Sequence, residues 1–141
     1  MDLQDAYFHI SIHPHHHKFL QFRFNNVSYQ FCSLPFGLSM ASRTFTKCMA
    51  PVAGYLQLQG ITIFPYIDNW LIVAPYYGAV RANQLTLNIL QNLGLKVNLT
   101  KSHLEPSQTA TYIGTDFNSL RARAILPQGS IIELKQAIRP F

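Results

Sequence analysis

Residues 61–74 read Ile61-Thr62-Ile63-Phe64-Pro65-Tyr66-Ile67-Asp68-Asn69-Trp70-Leu71-Ile72-Val73-Ala74. Two apolar runs rich in β-branched side chains flank one acid and one amide. Such side chains favour strands, and Asp-Asn favours a turn. The stretch therefore predicts a hairpin with strands at 61–67 and 70–74 and a turn at Asp68-Asn69. A carboxylate at such a tip stands at a sheet edge. Two carboxylates from separate strands are able to hold Mg²⁺ ions about 3.5–4 Å apart, which stabilise the attacking and leaving oxygens of phosphoryl transfer. Hard Mg²⁺ takes oxygen ligands, which suits Asp. A plain hairpin turn is the commoner meaning of the same spacing, and both readings stay open at this point.

Outward from this hairpin the pattern is mixed. Upstream, residues 18–24 and 27–33 alternate and are rich in aromatics. Asn25-Asn26 lies between them, so they predict a second hairpin. Leu34-Pro35-Phe36-Gly37 then breaks the strand. Ser39 or Ser42 is placed to cap a helix running to about Tyr55, with Phe45, Met49 and Val52 inward and Gly60 after its end. Downstream, Val80, Leu85, Leu87, Ile89, Leu90 and Leu93 make 77–93 an amphipathic helix stopped by Gly94. Strands are expected at 96–99, 110–117 and 123–126, and a last helix at 130–138 stopped by Pro140. Hairpin, helix, hairpin, helix, strands is an α+β order: one mostly antiparallel sheet with helices packed on one face.

The 141 residues suit a single domain. Hydrophobic residues make up 48% and charged residues 12%, too apolar for a disordered chain. That charged share is well under the usual ~25%, which points to a domain cut from a larger protein with surface meant for neighbours. With 11 basic and 6 acidic side chains the formal charge is +5. A basic excess suits a polyanion such as nucleic acid, although no run of Lys and Arg stands out. Cys32 and Cys48 form no zinc or redox spacing and sit among apolar residues, as buried reduced thiols do. A reducing, intracellular compartment is expected, cytoplasmic or nuclear. There, Asn98-Leu99-Thr100 would not be glycosylated. The N-terminus has acids and no apolar signal region, and no run approaches the ~20 residues of a membrane span. His13-Pro14-His15-His16-His17 has the composition of a metal tract, but consecutive histidines cannot all face one ion and no Cys or acid completes a set. A solvated turn near phosphate is the expectation there.

Five segments in order carry a family resemblance. Asp2-Leu3-Gln4-Asp5-Ala6-Tyr7-Phe8 resembles motif A of reverse transcriptases. Leu34-Pro35-Phe36-Gly37-Leu38, with Ala41, Thr44 and Phe45, resembles motif B. Tyr66-Ile67-Asp68-Asn69 resembles the YxDD box of motif C. Leu93-Gly94-Leu95-Lys96-Val97-Asn98, with Lys101, Ser102 and Leu104, resembles motif D, and Tyr112-Ile113-Gly114 resembles motif E. The segments cover nearly the whole chain. LPFGL, and the Ile and Trp around the motif C pair, look most like retrotransposon enzymes, DIRS-type first and gypsy-like next.

The resemblance implies an RNA-directed DNA polymerase palm, residues 1–141, that extends a primer on an RNA or DNA template with dNTPs by two-metal chemistry. Mg²⁺ is the implied ion, with Mn²⁺ as the alternative, and no membrane is involved. Asp2 and Asp68 match the metal ligands, and Leu3 a backbone carbonyl that reaches a metal. Asp5 and Ala6 match the backbone that cradles the triphosphate, and Tyr7 the gate against a ribose 2′-OH. Phe36 and Gly37 match the surface under the nascent base pair. Lys101 matches a general acid for pyrophosphate, and Tyr66 and Tyr112 lie near the primer. Each has a plainer meaning: Tyr7 and Phe8 as core aromatics (preferred for Phe8), Lys101 as a solvated lysine, Gly37 as a turn glycine.

Two departures bear on activity. Asn69 stands where the family has a second Asp, so the metal site loses one charge. The chain opens directly before the motif A aspartate, so a truncated copy is expected, with Asp2 on a frayed terminus and fingers, thumb and RNase H regions of a parent polyprotein missing. A smaller departure is a serine in Ser39-Met40-Ala41-Ser42, where relatives often carry proline. The competing expectations are a catalytically dead relic that keeps a nucleic-acid-binding or interaction role and, less favoured for want of an RNP1-like run, a ferredoxin-like RNA-binding module.

Overall fold

A computed structural model describes residues 1–138. Pro140, the expected stop of the last helix, lies outside them. The chain folds as two compact units, Met1–Leu104 and Glu105–Phe141.

In the first unit, β1 (Gln21–Phe24) and β2 (Val27–Gln30) form an antiparallel hairpin. Its turn residues Asn25 and Asn26 lie at φ 47° and 59°. Two left-handed residues make the type I′ turn that matches strand twist, and Asn tolerates that region. Residues 18–20 do not join the strand as expected. Pro14 opens a 3₁₀ helix, Pro14–Phe19, because a fixed φ and a missing N–H are harmless at a first helical position. The thiols of Cys32 and Cys48 are exposed rather than buried. Cys48 lies on the outer side of the helix that follows, next to the buried Met49.

That helix, α1, runs Ala41–Leu58, and neither serine caps it: Met40 is the N-cap, with no side-chain bond, and Ser42 falls inside the first turn. Phe45, Met49, Ala53 and Leu56 recur every three or four residues and are buried. Pro51 lies within the helix and is exposed. It removes one i→i−4 hydrogen bond and crowds the preceding turn. Pro51→Ala is expected to raise stability by about 1–2 kcal/mol, less than the ~3 kcal/mol of an interior proline because alanine also frees the unfolded chain. Urea unfolding checks this, and a loss of stability would contradict it.

β3 (Thr62–Tyr66) and β4 (Asn69–Val73) pair antiparallel from Thr62↔Val73 to Tyr66↔Asn69. The turn is therefore Ile67-Asp68, one residue earlier than expected. The shift takes Ile67 into the turn and makes Asn69 the first residue of β4, directly opposite Tyr66. Ile63 and Trp70 point into the core with Phe45, Leu56 and Leu90. Tyr66 and Asn69 take the opposite, exposed face.

A short 3₁₀ turn, Tyr76–Gly78, leads into α2 (Ala79–Asn92). Its buried line is Ala82, Thr86 and Leu90, with the Thr86 hydroxyl donating to the Ala82 carbonyl at 2.8 Å. Val80, expected inward, is 66% exposed, because it is out of step with that line. Gly94 follows at φ 76°. Residues 96–99 form no strand and keep one bridge, Leu3↔Val97, because their partner is a few N-terminal residues. No helix among the described residues is long and apolar enough to cross a membrane.

The second unit is a three-stranded antiparallel meander, β5 (Thr109–Tyr112), β6 (Thr115–Asn118) and β7 (Arg123–Ile125), followed by α3 (Gln128–Ala137). Residues 110–117, expected as one strand, are a hairpin. Ile113 and Gly114, at φ 48° and 66°, form another I′ turn. None of the unit's described residues is buried. The antiparallel α+β class is as expected, but the described strands lie in three sheets rather than one, since each strand pairs with its sequence neighbour.

Candidate active site

Asp2 is not frayed. Its segment is hydrogen-bonded along both edges. On one side Met1 N–H donates to the Trp70 carbonyl (2.8 Å), Trp70 N–H to Met1 (2.7 Å) and Leu3 N–H to Asp68 (2.8 Å). On the other, Gln4 N–H donates to Lys96 and Asn98 N–H to the Asp2 carbonyl, both at 2.8 Å. Residues 1–4 thus act as a strand between the β3–β4 hairpin and the 96–98 segment. Burial lowers the Met1 α-amino pKa, and the nearby Asp2 carboxylate pulls it back up.

The bond pattern makes Asp2↔Asn69 a non-hydrogen-bonded antiparallel pair, the kind with side chains closest together. Asn69 is in turn opposite Tyr66. Tyr66, Asn69 and Asp2 therefore form one cross-strand row on the face away from the core. Asp68, half-buried in the turn, adjoins the row. Asp2 and the Asp68-Asn69 pair lie at opposite ends of a long stretch of sequence, and only this pairing brings them together.

The turn that holds Asp68 is strained. Ile67 sits at φ 51° while Asp68 stays at negative φ, the II′ pattern that favours glycine first. A β-branched residue there costs about 1–3 kcal/mol and persists only when its surroundings fix it. Here the indole N–H of Trp70 donates to the Ile67 carbonyl at 3.0 Å, and the Ile67 side chain packs on the core.

Lys101 is exposed, in a turn built on Asn98, whose side-chain oxygen accepts from Lys101 N–H at 3.2 Å and from the Thr100 hydroxyl at 2.7 Å. Ser102, given no role from sequence, closes this turn onto Asp2. Its Oγ accepts from Asp2 N–H at 2.9 Å and lies 3.5 Å from the Asp2 carbonyl. No local pattern announces a contact across 100 residues. Ser102→Ala leaves a half-buried Asp2 N–H without a partner, so a stability loss of about 1–2 kcal/mol is expected, with faster amide exchange at Asp2. Unchanged exchange in residues 1–3 would show that water replaces the serine.

The other residues of the resemblance fall in two places. Asp5, at φ 52°, precedes the 3₁₀ turn Ala6–His9, with Ala6 buried and Tyr7 half-buried. The Tyr7 ring lies 4.9 Å from Phe36 and 5.6 Å from Phe45. Gly37 follows at φ 88°, a backbone conformation that favours glycine. Phe8 is 43% exposed rather than a core aromatic, its edge against Phe36 at 5.3 Å, because Ala6 takes the inward position. Leu3 is buried, and Tyr112 ends β5 in the second unit. In the histidine turn, the His13 ring accepts from His15 N–H, and the His17 ring meets the Ile12 carbonyl at 2.8 Å.

For a cation, the row offers the Asp2 carboxylate and the neutral amide oxygen of Asn69, and the adjoining turn carries the Asp68 carboxylate. Among the described residues no three His, Cys, Asp or Glu side chains stand together as a metal site. The donors present are all oxygen, which fits Mg²⁺ or Mn²⁺, with less charge than three carboxylates supply.

The family profile described as reverse transcriptase (RNA-dependent DNA polymerase) matches residues 1–117. This chain belongs to the reverse transcriptase family. The family assignment rests on a span that runs from Asp2 through the hairpin to β6. Among solved structures, a foamy viral protease-reverse transcriptase in complex with an RNA/DNA hybrid is similar at TM-score 0.79 and 17% identity, over 99% of this chain and 18% of that one. The foamy viral protease-reverse transcriptase dRH in complex with double-stranded DNA is similar at TM-score 0.85 and 17% identity, over 99% of this chain and 24% of that one. At that identity the likeness establishes the reverse transcriptase fold. The chain spans about a fifth to a quarter of the length of these relatives. No curated protein matches it.

Proposed function

We propose that this chain is the palm core of an RNA-directed DNA polymerase of the retrotransposon type, DIRS-like, working with two carboxylates where three are usual. The observation that carries this is the bridge that sets Asp2 beside Asn69 and the Asp68 turn. Asp2, Asp68 and Asn69 would hold Mg²⁺, which when bound supplies charge stabilisation to the transferring phosphoryl group. Leu3, Asp5 and Ala6 present backbone to the nucleotide, Tyr7 bounds its sugar, and Phe36 and Gly37 floor the base pair. Lys101 would give a proton to the leaving pyrophosphate. Tyr66, on the same face as Asp2, would meet the primer strand. The template–primer partner is taken from the foamy viral complexes.

The test is extension of a labelled DNA primer on an RNA template with dNTPs and Mg²⁺, by this chain and by Asp68→Asn. Slow extension lost in Asp68→Asn supports the proposal. Asn69 favours a second reading, a palm that binds primer–template without chemistry. Binding with no extension above the Asp68→Asn background would establish that one and overturn the first.

A further inference from the structure

Tyr7 and Ser42 come from segments 35 residues apart, yet the phenol oxygen of Tyr7 lies 2.8 Å from the Ser42 hydroxyl. We infer that Ser42 is a specificity-determining positioning residue, fixing the Tyr7 ring where it meets the sugar of an incoming nucleotide. The inference rests on the polymerase reading above and names a determinant of its substrate choice, deoxyribose over ribose.

Rejecting one added hydroxyl requires a wall placed to within a fraction of an ångström, and a half-exposed side chain on a 3₁₀ turn is not such a wall unaided. The ring is constrained at three points. Phe45, buried in the core, meets it edge-on at 5.6 Å with planes at 67°. Phe36 leans on it at 4.9 Å but is itself 60% exposed, so it yields. The third point is the hydroxyl pair. Ser42 lies in the first turn of α1, anchored from the core by Phe45 one turn on, and its carbonyl accepts from the Thr46 hydroxyl at 2.8 Å. The serine backbone is therefore rigid, and its side chain transmits that rigidity to the tip of the tyrosine. Without this bond, the rotatable bonds of the side chain leave the tip free to swing toward the exposed side. A ribose 2′-OH then gains room while a deoxyribose loses little.

The test uses the chain and its Asn69→Asp form, each with Ser42→Ala, Ser42→Thr, Tyr7→Phe and the Tyr7→Phe/Ser42→Ala double change. Two quantities are read: the ratio of kcat/KM for dTTP over UTP opposite a template adenine, and the urea midpoint. Ser42→Ala is expected to lower the ratio about threefold to tenfold, the factor a single hydrogen bond supplies. Ser42→Thr should restore it, and the double change should fall no further than either single change. The midpoint shifts should be non-additive in the same sense. A ratio unmoved by Ser42→Ala, or effects that multiply across the double change, would overturn the inference while leaving the polymerase reading intact. Additive midpoint shifts would deny the bond itself. If neither parent extends with dTTP, the polymerase reading fails, and the inferred role fails with it.

Discussion

Asn69→Asp is expected to raise Mg²⁺-dependent primer extension on the order of a hundredfold, the scale at which one well-placed charge partner acts on a transition state. The same change should destabilise the metal-free protein. Asn69 lies directly across from Asp2, so a carboxylate at position 69 faces that of Asp2 at close range. Like charges directly opposite on a sheet are unfavourable. At about 5 Å near a protein surface their repulsion is on the order of 1 kcal/mol once solvent screening is counted. Mg²⁺ reverses the sign: it binds the folded row and stabilises by mass action, more strongly where the row carries more charge. The measurement is therefore a pair of urea titrations with and without Mg²⁺, beside the extension assay. The natural chain should show a small Mg²⁺ stabilisation. The Asn69→Asp form should be weaker without the ion and gain more from it. Equal Mg²⁺ responses in the two forms would mean that position 69 is not part of the cation site. Stability reversal without extension would place the fault elsewhere in the machinery.

Trp70→Ala should remove about 3–5 kcal/mol, the cost of truncating a fully buried aromatic, and most of what a domain this size has to spare. Trp70 is 1% exposed and packs among the residues of α1, α2 and the N-terminal segment. Its indole N–H holds the carbonyl of strained Ile67, and its backbone exchanges two hydrogen bonds with Met1. Loss of the ring therefore loosens both the turn that carries Asp68 and the segment that carries Asp2. Trp70→Phe retains most of the volume and loses the N–H, and should cost less, about 1–2 kcal/mol. Because Trp70 is the single tryptophan, unfolding is followed by circular dichroism rather than fluorescence. A Trp70→Ala protein that unfolds within about 1 kcal/mol of the parent would show that the core closes over the gap, contrary to the packing described.

Local chemistry written into the chain settled much of the architecture. Asn25-Asn26 marks a turn because few residues tolerate positive φ, and the turn is there. Phe45 and Met49 mark the inner face of α1 because helical side chains four apart stack. Five motifs in order mark the chain as a member of its family. Tertiary pairing decided the rest. The apolar residues 61–74 predict a hairpin but not its register, since Asp-Asn is a better turn pair than Ile-Asp by local preference. The fold sets the turn at Ile67-Asp68, so Asn69 becomes the first residue of β4, and alternation with core-facing Trp70 puts it on the outer face, opposite Asp2. Asp2 itself reads as a loose end. It is held only because carbonyls at Asp68, Trp70 and Lys96 and the hydroxyl of Ser102 arrive from far along the chain. Hydrogen bonds between residues 69 or 100 positions apart leave no local pattern. Candidate residues such as Asp2, Asp68 and Asn69 stand out in the sequence, while the row of Tyr66, Asn69 and Asp2 came from the fold.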